Sequence, residues 1–206
     1  MDRAKSRQLL SERFVRLLVK AQALVKNELV TSFVPEEVTG RFVDLDRLWN
    51  KGEFFAELVD LVEAAFLQWA LEERFSYQVI AAASSVLAAY GSVPIASALA
   101  CRLKKDLCIF AQTSTGQYGL YPSTLPSDVL LGGRGIVLLQ DAIVHGRSVG
   151  RVAELIRSRG GKLQCVVTLV DQRPEGRQLP QVLEKLPIFV LASRDRLENV
   201  ELEESP

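Results

Sequence analysis

Two neighbouring polar side chains and a short loop after them could bind an anion that carries hydroxyl groups. Gln140 and Asp141 follow the apolar run 136–139, and a His-Gly-Arg-Ser loop occupies residues 145–148. The Asp141 carboxylate could accept hydrogen bonds from ribose hydroxyls. Backbone N–H groups of the loop could hold a phosphate at a helix start, where Arg147 could add a charge-assisted contact. These residues therefore point to the binding of a phosphorylated sugar.

The pattern around these residues predicts a strand–loop–helix–strand unit. Residues 136–139 are typical of a short buried strand after the glycine-rich turn 132–135. From residue 147 apolar side chains recur at helical spacing up to Gly160 and Gly161, and a second apolar run covers residues 163–170. This order favours a parallel sheet with a right-handed crossover. Ligands of such sheets lie beyond the carboxyl ends of the strands, where we expect residues 140–148.

Each candidate residue also has an explanation that involves no ligand. Asp141 could cap the following helix or pair with Arg147 instead of holding a ribose. His145, the only histidine, could donate to an anion or transfer a proton near neutral pH, or it could be a loop residue without a role. The whole unit could be an ordinary crossover whose loop holds nothing.

The overall composition predicts one large domain without electrostatic attraction to nucleic acid or membranes. The chain has 206 residues, with 25 Lys plus Arg and 25 Asp plus Glu. Three cysteines, Cys101, Cys108 and Cys165, lack metal-ligand spacing and indicate reduced core thiols in a cytoplasmic protein. The uncharged stretch 76–101 contains Gly91 and Pro94, so we expect a strand, a loop and a helix there rather than a membrane span.

Hydrophobic periodicity predicts the remaining elements of an α/β protein. We expect amphipathic helices over 5–27 and 53–72, with short strands of a small sheet between them in 28–50. Further predicted elements are core strands over 77–83 and 107–111, a helix from Pro94, and an edge strand over 187–192. The segment 112–131 has neither helical nor strand periodicity, and a loop of that length is usually functional or disordered.

Residues 136–148 resemble the phosphoribosyl-diphosphate-binding motif of the type I phosphoribosyltransferases. That motif has an apolar strand, two acidic residues and a Thr-Thr-Gly-Gly/Thr-Ser/Thr loop for the 5′-phosphate. Gln140 and Asp141 stand at the two acidic positions, which implies that they bind ribose. The positions of the phosphate loop are Val144, His145, Gly146, Arg147 and Ser148. The skeleton of the motif is kept, while polar family residues are replaced at Gln140, Val144 and His145.

The rest of the chain, from about Arg13 to Arg173, is similar to the orotate phosphoribosyltransferases of that family. The phrase Phe-Val-Asp-Leu at 42–45 is similar to one in their N-terminal region. Residues 91–94, Gly-Ser-Val-Pro, are similar to the end of their diphosphate loop, which implies diphosphate contacts for Gly91 and Ser92. The base-contacting Lys of the family has no clear counterpart in residues 31–35.

The resemblance implies a type I phosphoribosyltransferase-like α/β fold, a mainly parallel sheet flanked by helices with a small N-terminal helix and strand subdomain. We expect one domain over 1–206, with a dimerisation hood over 1–50, an α/β core over 53–193 and a frayed tail over 198–206. The resemblance also implies a homodimer that binds phosphoribosyl diphosphate or a nucleotide. Mg²⁺ would be bound through the diphosphate and not by protein side chains.

Two classes of function follow from the resemblance. An active transferase would displace diphosphate from the anomeric carbon through an oxocarbenium-like state. The family's mobile loop supplies Lys and Arg to the departing diphosphate, but this chain has neither between Ile109 and Gly133. Each missing donor would remove roughly 3–4 kcal/mol of transition-state stabilisation, so we expect weak or absent glycosyl transfer. The alternative is a non-catalytic regulatory or assembly protein that reuses the fold.

Overall fold

The computed structural model shows an α/β protein and describes residues 3–26, 41–84, 91–112, 117–120, 131–174, 176 and 178–200. The described helices are α1 (Arg3–Lys20), α2 (Asp46–Trp49), α3 (Gly52–Glu73), α4 (Val93–Arg102), α5 (Arg147–Ser158) and α6 (Arg194–Glu198). The described strands are β1 (Leu24–Lys26), β2 (Arg41–Val43), β3 (Val79–Ser84), β4 (Asp106–Gln112), β5 (Tyr118–Leu120), β6 (Gly135–Ile143), β7 (Lys162–Asp171) and β8 (Ile188–Ser193). A 3₁₀ turn, Gln181–Leu183, connects β7 to β8.

Six strands form the main sheet in the order β5-β4-β3-β6-β7-β8. β5 is antiparallel to β4, and the other neighbouring pairs are parallel. The chain passes from β3 to β4 on one side, and from β6 through β7 to β8 on the other. The direction of winding therefore reverses between β3 and β6, which is where open α/β sheets commonly bind ligands.

Helices cover both faces of this sheet, as parallel strands with apolar side chains on both faces require. One apolar cluster joins α1, α3 and α4 to the first face, and a second joins α5 to the opposite face. Along β6, Val137 and Leu139 belong to the first cluster while Ile136 and Leu138 belong to the second. The sheet core therefore fixes which face each residue at the end of β6 approaches.

The N-terminal part packs against the sheet and shares its core. Trp69 of α3 stacks on Phe189 of β8, with ring centroids 4.9 Å apart and an interplanar angle of 14°. The ribbon of β1 and β2 is antiparallel, and its Leu24 and Val43 are buried in the same cluster as the first sheet face. This packing brings α2, which follows the ribbon directly, towards the sheet.

The predicted fold class is confirmed, and several element boundaries differ from those expected. α1 ends at Lys20 and not at 27, because Gln22 takes a φ of 54° and residues 24–26 pair with β2. β6 runs on to Ile143, opposite Asp171 of β7, so Gln140 and Asp141 lie within the strand and not after it. The pattern of the sequence does not predict β5, whose three residues become a strand by pairing with β4.

Other expectations are met where the structure describes them. The helix expected over 53–72 is α3, the helix that starts around Pro94 is α4, and β8 lies at an edge of the sheet. The uncharged stretch 76–101 contributes β3 and α4, and no described helix is long and apolar enough to span a membrane. Residues 28–40 of the expected strand region 28–50 and most of the loop 112–131 lie outside the described residues.

Candidate functional site

The sheet opens at the point where its winding reverses. Pairing of β3 with β6 is last seen at Ala82 and Leu139. β3 stays paired with β4 as far as Ser84, and β6 stays paired with β7 as far as Ile143. The carboxyl ends of β3 and β6 therefore part while each remains attached to its outer neighbour. Gln140 is the first residue of β6 beyond this separation.

Gln140 carries an acceptor that the described protein does not satisfy. The residue is only 8% exposed, and its Nε2 donates to Oδ1 of Asp141 at 2.8 Å. Its Oε1 is buried and has no hydrogen-bond partner among the described residues. A buried acceptor without a partner costs about 1–3 kcal/mol, so this atom is a natural place for a ligand donor.

Asp141 is a partly exposed residue whose carboxyl is nevertheless held in a desolvated place. Burial raises the pKa of Asp141 above its ordinary value of 3.8, and the carboxylate of Asp46 on α2 raises it further. Hydrogen bonds from the backbone of Ala142, from the Gln140 amide and from its own backbone act in the opposite direction. Several hydrogen-bond donors therefore orient this carboxylate, although its burial makes the charged form less favourable than in water.

The predicted phosphate loop lines one pocket of about 400 Å³. Its wall contains Gln140, Ala142, Ile143, Val144, His145, Gly146, Arg147, Ser148, Val149 and Arg151. Asp141 is not part of this wall, because adjacent strand residues point to opposite faces, but its hydrogen bond to Gln140 keeps it beside the pocket. The structure thus brings Gln140 together with all five predicted loop positions.

Glycine allows the loop to pass beneath the segment before the 3₁₀ turn. Gly146 has a φ of 69°, and a Cβ there would lie 3.0 Å from Cδ of Pro180 and 3.1 Å from Cδ2 of Leu179. Gly150, one turn later, faces the same proline, with 3.2 Å from a Cβ to Cγ of Pro180. Both conformational freedom and space therefore require glycine where the family motif also has one.

The predicted diphosphate residues lie elsewhere at the same sheet edge and are not part of this pocket. Ser92 is fully buried; its Oγ accepts from the Ala83 backbone N–H at 3.3 Å and donates to the Ala83 carbonyl at 3.4 Å. Gly91 precedes it with a φ of 50°. The Ser92 hydroxyl therefore ties the start of α4 to β3, across the residues 85–90, which lie outside the described part of the chain.

Two features of the site escape the sequence argument. Arg151 lines the pocket, and its spacing of four residues from Arg147 could have indicated a shared helix face. Asp46 affects Asp141, although it is far away in sequence and belongs to a separate local motif. No sequence signal joins these two aspartates, because only the packing of the N-terminal part on the sheet brings them close.

A larger cavity of about 620 Å³ lies at the ends of β7 and β8. Both of its arginines already pair with carboxylates in its own lining. Arg173 Nη2 donates to Asp171 Oδ2 at 2.7 Å, and Arg194 Nε donates to Glu198 Oε1 at 2.7 Å. We therefore place the candidate site at the smaller pocket, which combines a buried unsatisfied acceptor with a helix start.

The described residues contain no group of three His, Cys, Asp or Glu side chains that could hold a metal ion. The oxygen atoms near the pocket, one carboxylate and one amide oxygen, could instead accept hydrogen bonds from ligand hydroxyls or metal-bound water. These residues therefore fit a Mg²⁺ ion that arrives on a ligand better than one held in a protein cage.

Comparison with known proteins gives sequence relatives and a shared fold, while no family model matches the chain. The chain is 29% identical over 166 residues to an orotate phosphoribosyltransferase of Sulfurisphaera tokodaii, covering 80% of this chain and 75% of the relative. It is 28% identical over 148 residues to "Transcriptional regulator GfcR 2" of Methanosarcina barkeri, covering 70% and 72%. Orotate phosphoribosyltransferase from Aeropyrum pernix matches with a TM-score of 0.64 at 19% identity, covering 89% of this chain and 94% of that one.

Proposed function

We propose that this chain, which has the type I phosphoribosyltransferase fold and sequence similarity to orotate phosphoribosyltransferases, binds a phosphorylated ribose. The ligand would be phosphoribosyl diphosphate or a nucleoside 5′-monophosphate. The observation that carries the proposal is the buried Oε1 of Gln140, an acceptor without a described partner. The Nε2 of the same amide donates to Oδ1 of Asp141 at 2.8 Å, so the two acceptors lie side by side. A ribose offers two adjacent hydroxyls, one for each of these acceptors.

The phosphate would lie at the start of α5. The pocket next to Gln140 is lined by Val144, His145, Gly146, Arg147 and Ser148, whose backbone N–H groups would donate to the phosphate. The positive end of the helix dipole favours an anion there, and uncapped N–H groups can donate to it. Gly91 and Ser92 would meet a diphosphate through their backbone, since the Ser92 hydroxyl is engaged with Ala83.

We expect Mg²⁺ at this site only together with a diphosphate ligand. Bound to the diphosphate oxygens, the ion would neutralise part of their charge. Gln140 and Asp141 would keep the ribose oriented next to it by hydrogen bonds. The homodimer and the cytoplasmic location stay predictions of the sequence argument.

Glycosyl transfer itself is proposed to be weak or absent. The segment between Ile109 and Gly133 contains no Lys or Arg that could stabilise a departing diphosphate, and Gln140 supplies no negative charge at the first acidic position. The second candidate function is regulation by a bound phosphoribosyl ligand. It is favoured by one observation, the similarity to a relative that is named a transcriptional regulator.

Calorimetric titration would test the binding function. The wild-type chain would be titrated with phosphoribosyl diphosphate plus Mg²⁺ and with uridine 5′-monophosphate. We expect micromolar binding of at least one of them, weakened roughly 10-fold or more in Asp141→Ala and in Gln140→Leu, since each variant removes a hydroxyl acceptor. Gln164→Leu, at the amino end of β7 and far from the pocket, is the matched control and should bind like wild type. Failure of the folded wild type to bind either ligand would overturn the proposal.

A further inference from the structure

The first two turns of α5 carry positive charge where helices normally carry acids. Arg147 is the first residue of the helix, Arg151 follows four residues later on the same face, and the first turn contains no acidic residue. Cations at a helix N-terminus are repelled by the positive end of the dipole. In the ligand-free protein this arrangement lowers the stability of the helix. Residues that disfavour their own local structure in this way are typical of functional sites.

The start of the same helix also lacks a side-chain cap. Gly146 occupies the N-cap position in a left-handed conformation and, because it has no side chain, cannot cap the helix with a side-chain hydrogen bond. The pocket at this place contains Arg147 and Arg151 in its wall, and among the described residues no carboxylate lines it. A bound dianion could accept hydrogen bonds from the first N–H groups and from the two guanidinium groups.

A second, independent feature of this pocket points to a ligand. The Gln140 side chain is more than nine-tenths buried, lines the same pocket, and its Oε1 lacks a described partner. This acceptor requires a hydroxyl or amine donor and not another anion. The occupant must therefore carry a donor at one end and a dianionic group at the other.

We infer that the site is specific for a ligand whose only anionic group is a phosphate monoester held by Arg147 and Arg151, so that ribose 5-phosphate or a nucleoside 5′-monophosphate binds better than phosphoribosyl diphosphate. This inference rests on the proposed function and narrows its ligand class. Cationic groups are concentrated at the α5 end of the site, whereas the stretch between Ile109 and Gly133 provides none for a diphosphate. A second anionic group beyond the ribose would have to give up its hydration without a cationic side chain from that stretch.

Titration of the wild-type chain with three ligands would test this order of affinities. The ligands are ribose 5-phosphate, uridine 5′-monophosphate, and phosphoribosyl diphosphate with Mg²⁺. We expect the better of the two monoesters to bind at least about 10-fold more tightly than phosphoribosyl diphosphate. Equal or tighter binding of phosphoribosyl diphosphate would overturn the inference but leave the proposed function standing. Absence of binding by all three would overturn both.

Substitution of the arginines would test their role. Arg147→Gln and Arg151→Gln should each weaken monoester binding by roughly 10-fold or more, as expected for loss of a charge-assisted hydrogen bond. Arg157→Gln, an exposed arginine in the last turn of the same helix, is the matched control and should leave affinity unchanged. An equal loss in all three variants would mean that only net charge matters, which would overturn the assignment.

A stability measurement separates this role from a structural one. Arg147→Glu should raise the melting temperature of the ligand-free protein, because an acid suits the N-terminus of α5. The same variant should no longer gain stability when ribose 5-phosphate is added. A lower melting temperature in the ligand-free variant would show that Arg147 supports the fold, and the inference would then be wrong.

Discussion

The two side chains at the end of β6 illustrate a conflict between stability and ligand binding. Gln140 buries an acceptor without a described partner, and Asp141 holds a carboxyl whose pKa is raised by burial. Each feature disfavours the ligand-free fold, and a hydroxylated ligand would relieve the first. Residues of this kind are usually retained for function, since replacements that stabilise the fold are easy to find.

The pH dependence of stability follows from the raised pKa of Asp141. Below 3.8 the carboxyl is protonated in both the folded and the unfolded chain, so burial has no charge to disfavour. As pH rises from there through the raised folded pKa, the unfolded chain ionises first and folding loses stability. We expect Asp141→Asn to be more stable than wild type at pH 7, by about 1 kcal/mol, with the difference shrinking as the pH approaches 3.8.

Urea unfolding of Asp141→Asn and wild type at a series of pH values would measure this difference. Glu154→Gln, which changes an exposed carboxylate on α5, is the control and should show no such gain at neutral pH. A gain of the same size at every pH would show that the carboxylate charge is not the cause.

At the scale of elements, the site depends on how β6 is anchored at its other end. Gly135 accepts from the Gln78 backbone N–H at 2.9 Å, and its own N–H donates to Oε1 of Gln78 at 2.7 Å. These bonds set the register of β6 against β3, and hence the residue at which the two strands part. The position of Gln140 at the crevice is therefore decided five residues upstream.

Gly135→Ala should disturb this anchor. A Cβ at Gly135 would lie 2.3 Å from the carbonyl oxygen of Ser76, which is backbone and has no side-chain freedom to move away. We expect a loss of about 2–3 kcal/mol in the free energy of unfolding, together with weaker binding of ligand to the folded fraction. Gly52→Ala is the control, since nothing lies within 4 Å of its Cβ at the start of α3, and it should be neutral or slightly stabilising. Equal stability of Gly135→Ala and wild type would show that the close contacts at Gly135 do not anchor β6.

At the scale of the whole molecule, the sheet, the N-terminal part and α5 form one continuous packing arrangement. The N-terminal part packs on one face of the sheet, where Asp46 of α2 lies close enough to Asp141 to raise its pKa. On the other face, α5 places its two arginines in the wall of the pocket. Positive charge is therefore concentrated at the α5 end of the candidate site, where we propose that the phosphate binds. Transfer of the ribose would need it at the diphosphate end as well.

The expected consequence is slow glycosyl transfer. With phosphoribosyl diphosphate, Mg²⁺ and orotate, we expect this chain to release diphosphate at least about 10²–10³-fold more slowly than the orotate phosphoribosyltransferase of Sulfurisphaera tokodaii. This is the effect of one lost transition-state donor. A coupled diphosphate assay with both enzymes at equal concentration would measure it, and adenine would serve as a second base. Turnover comparable to that of the relative would contradict the view that the loop cations are essential.

The sequence by itself determined the α/β class, the βαβ unit and the five loop positions of the pocket. Its information there is local: the apolar strand, the glycines and the helical period of 147–158 act over neighbouring residues. Three-residue strands such as β5 lack such a signal, because their conformation comes from the partner strand. The extension of β6 through Gln140 and Asp141 likewise depends on β7, which pairs as far as Ile143 and so overrides two polar residues.

Only the tertiary structure decided which groups of the site act on each other. The unsatisfied acceptor of Gln140, the approach of Asp46 to Asp141 and the engagement of Ser92 by Ala83 depend on how separate elements pack against each other. The type of a residue determines which hydrogen bonds it can make, whereas packing determines which of them remain available to a ligand. Burial and desolvation are properties of the assembled sheet and its helices, and for that reason they cannot be obtained from local pattern.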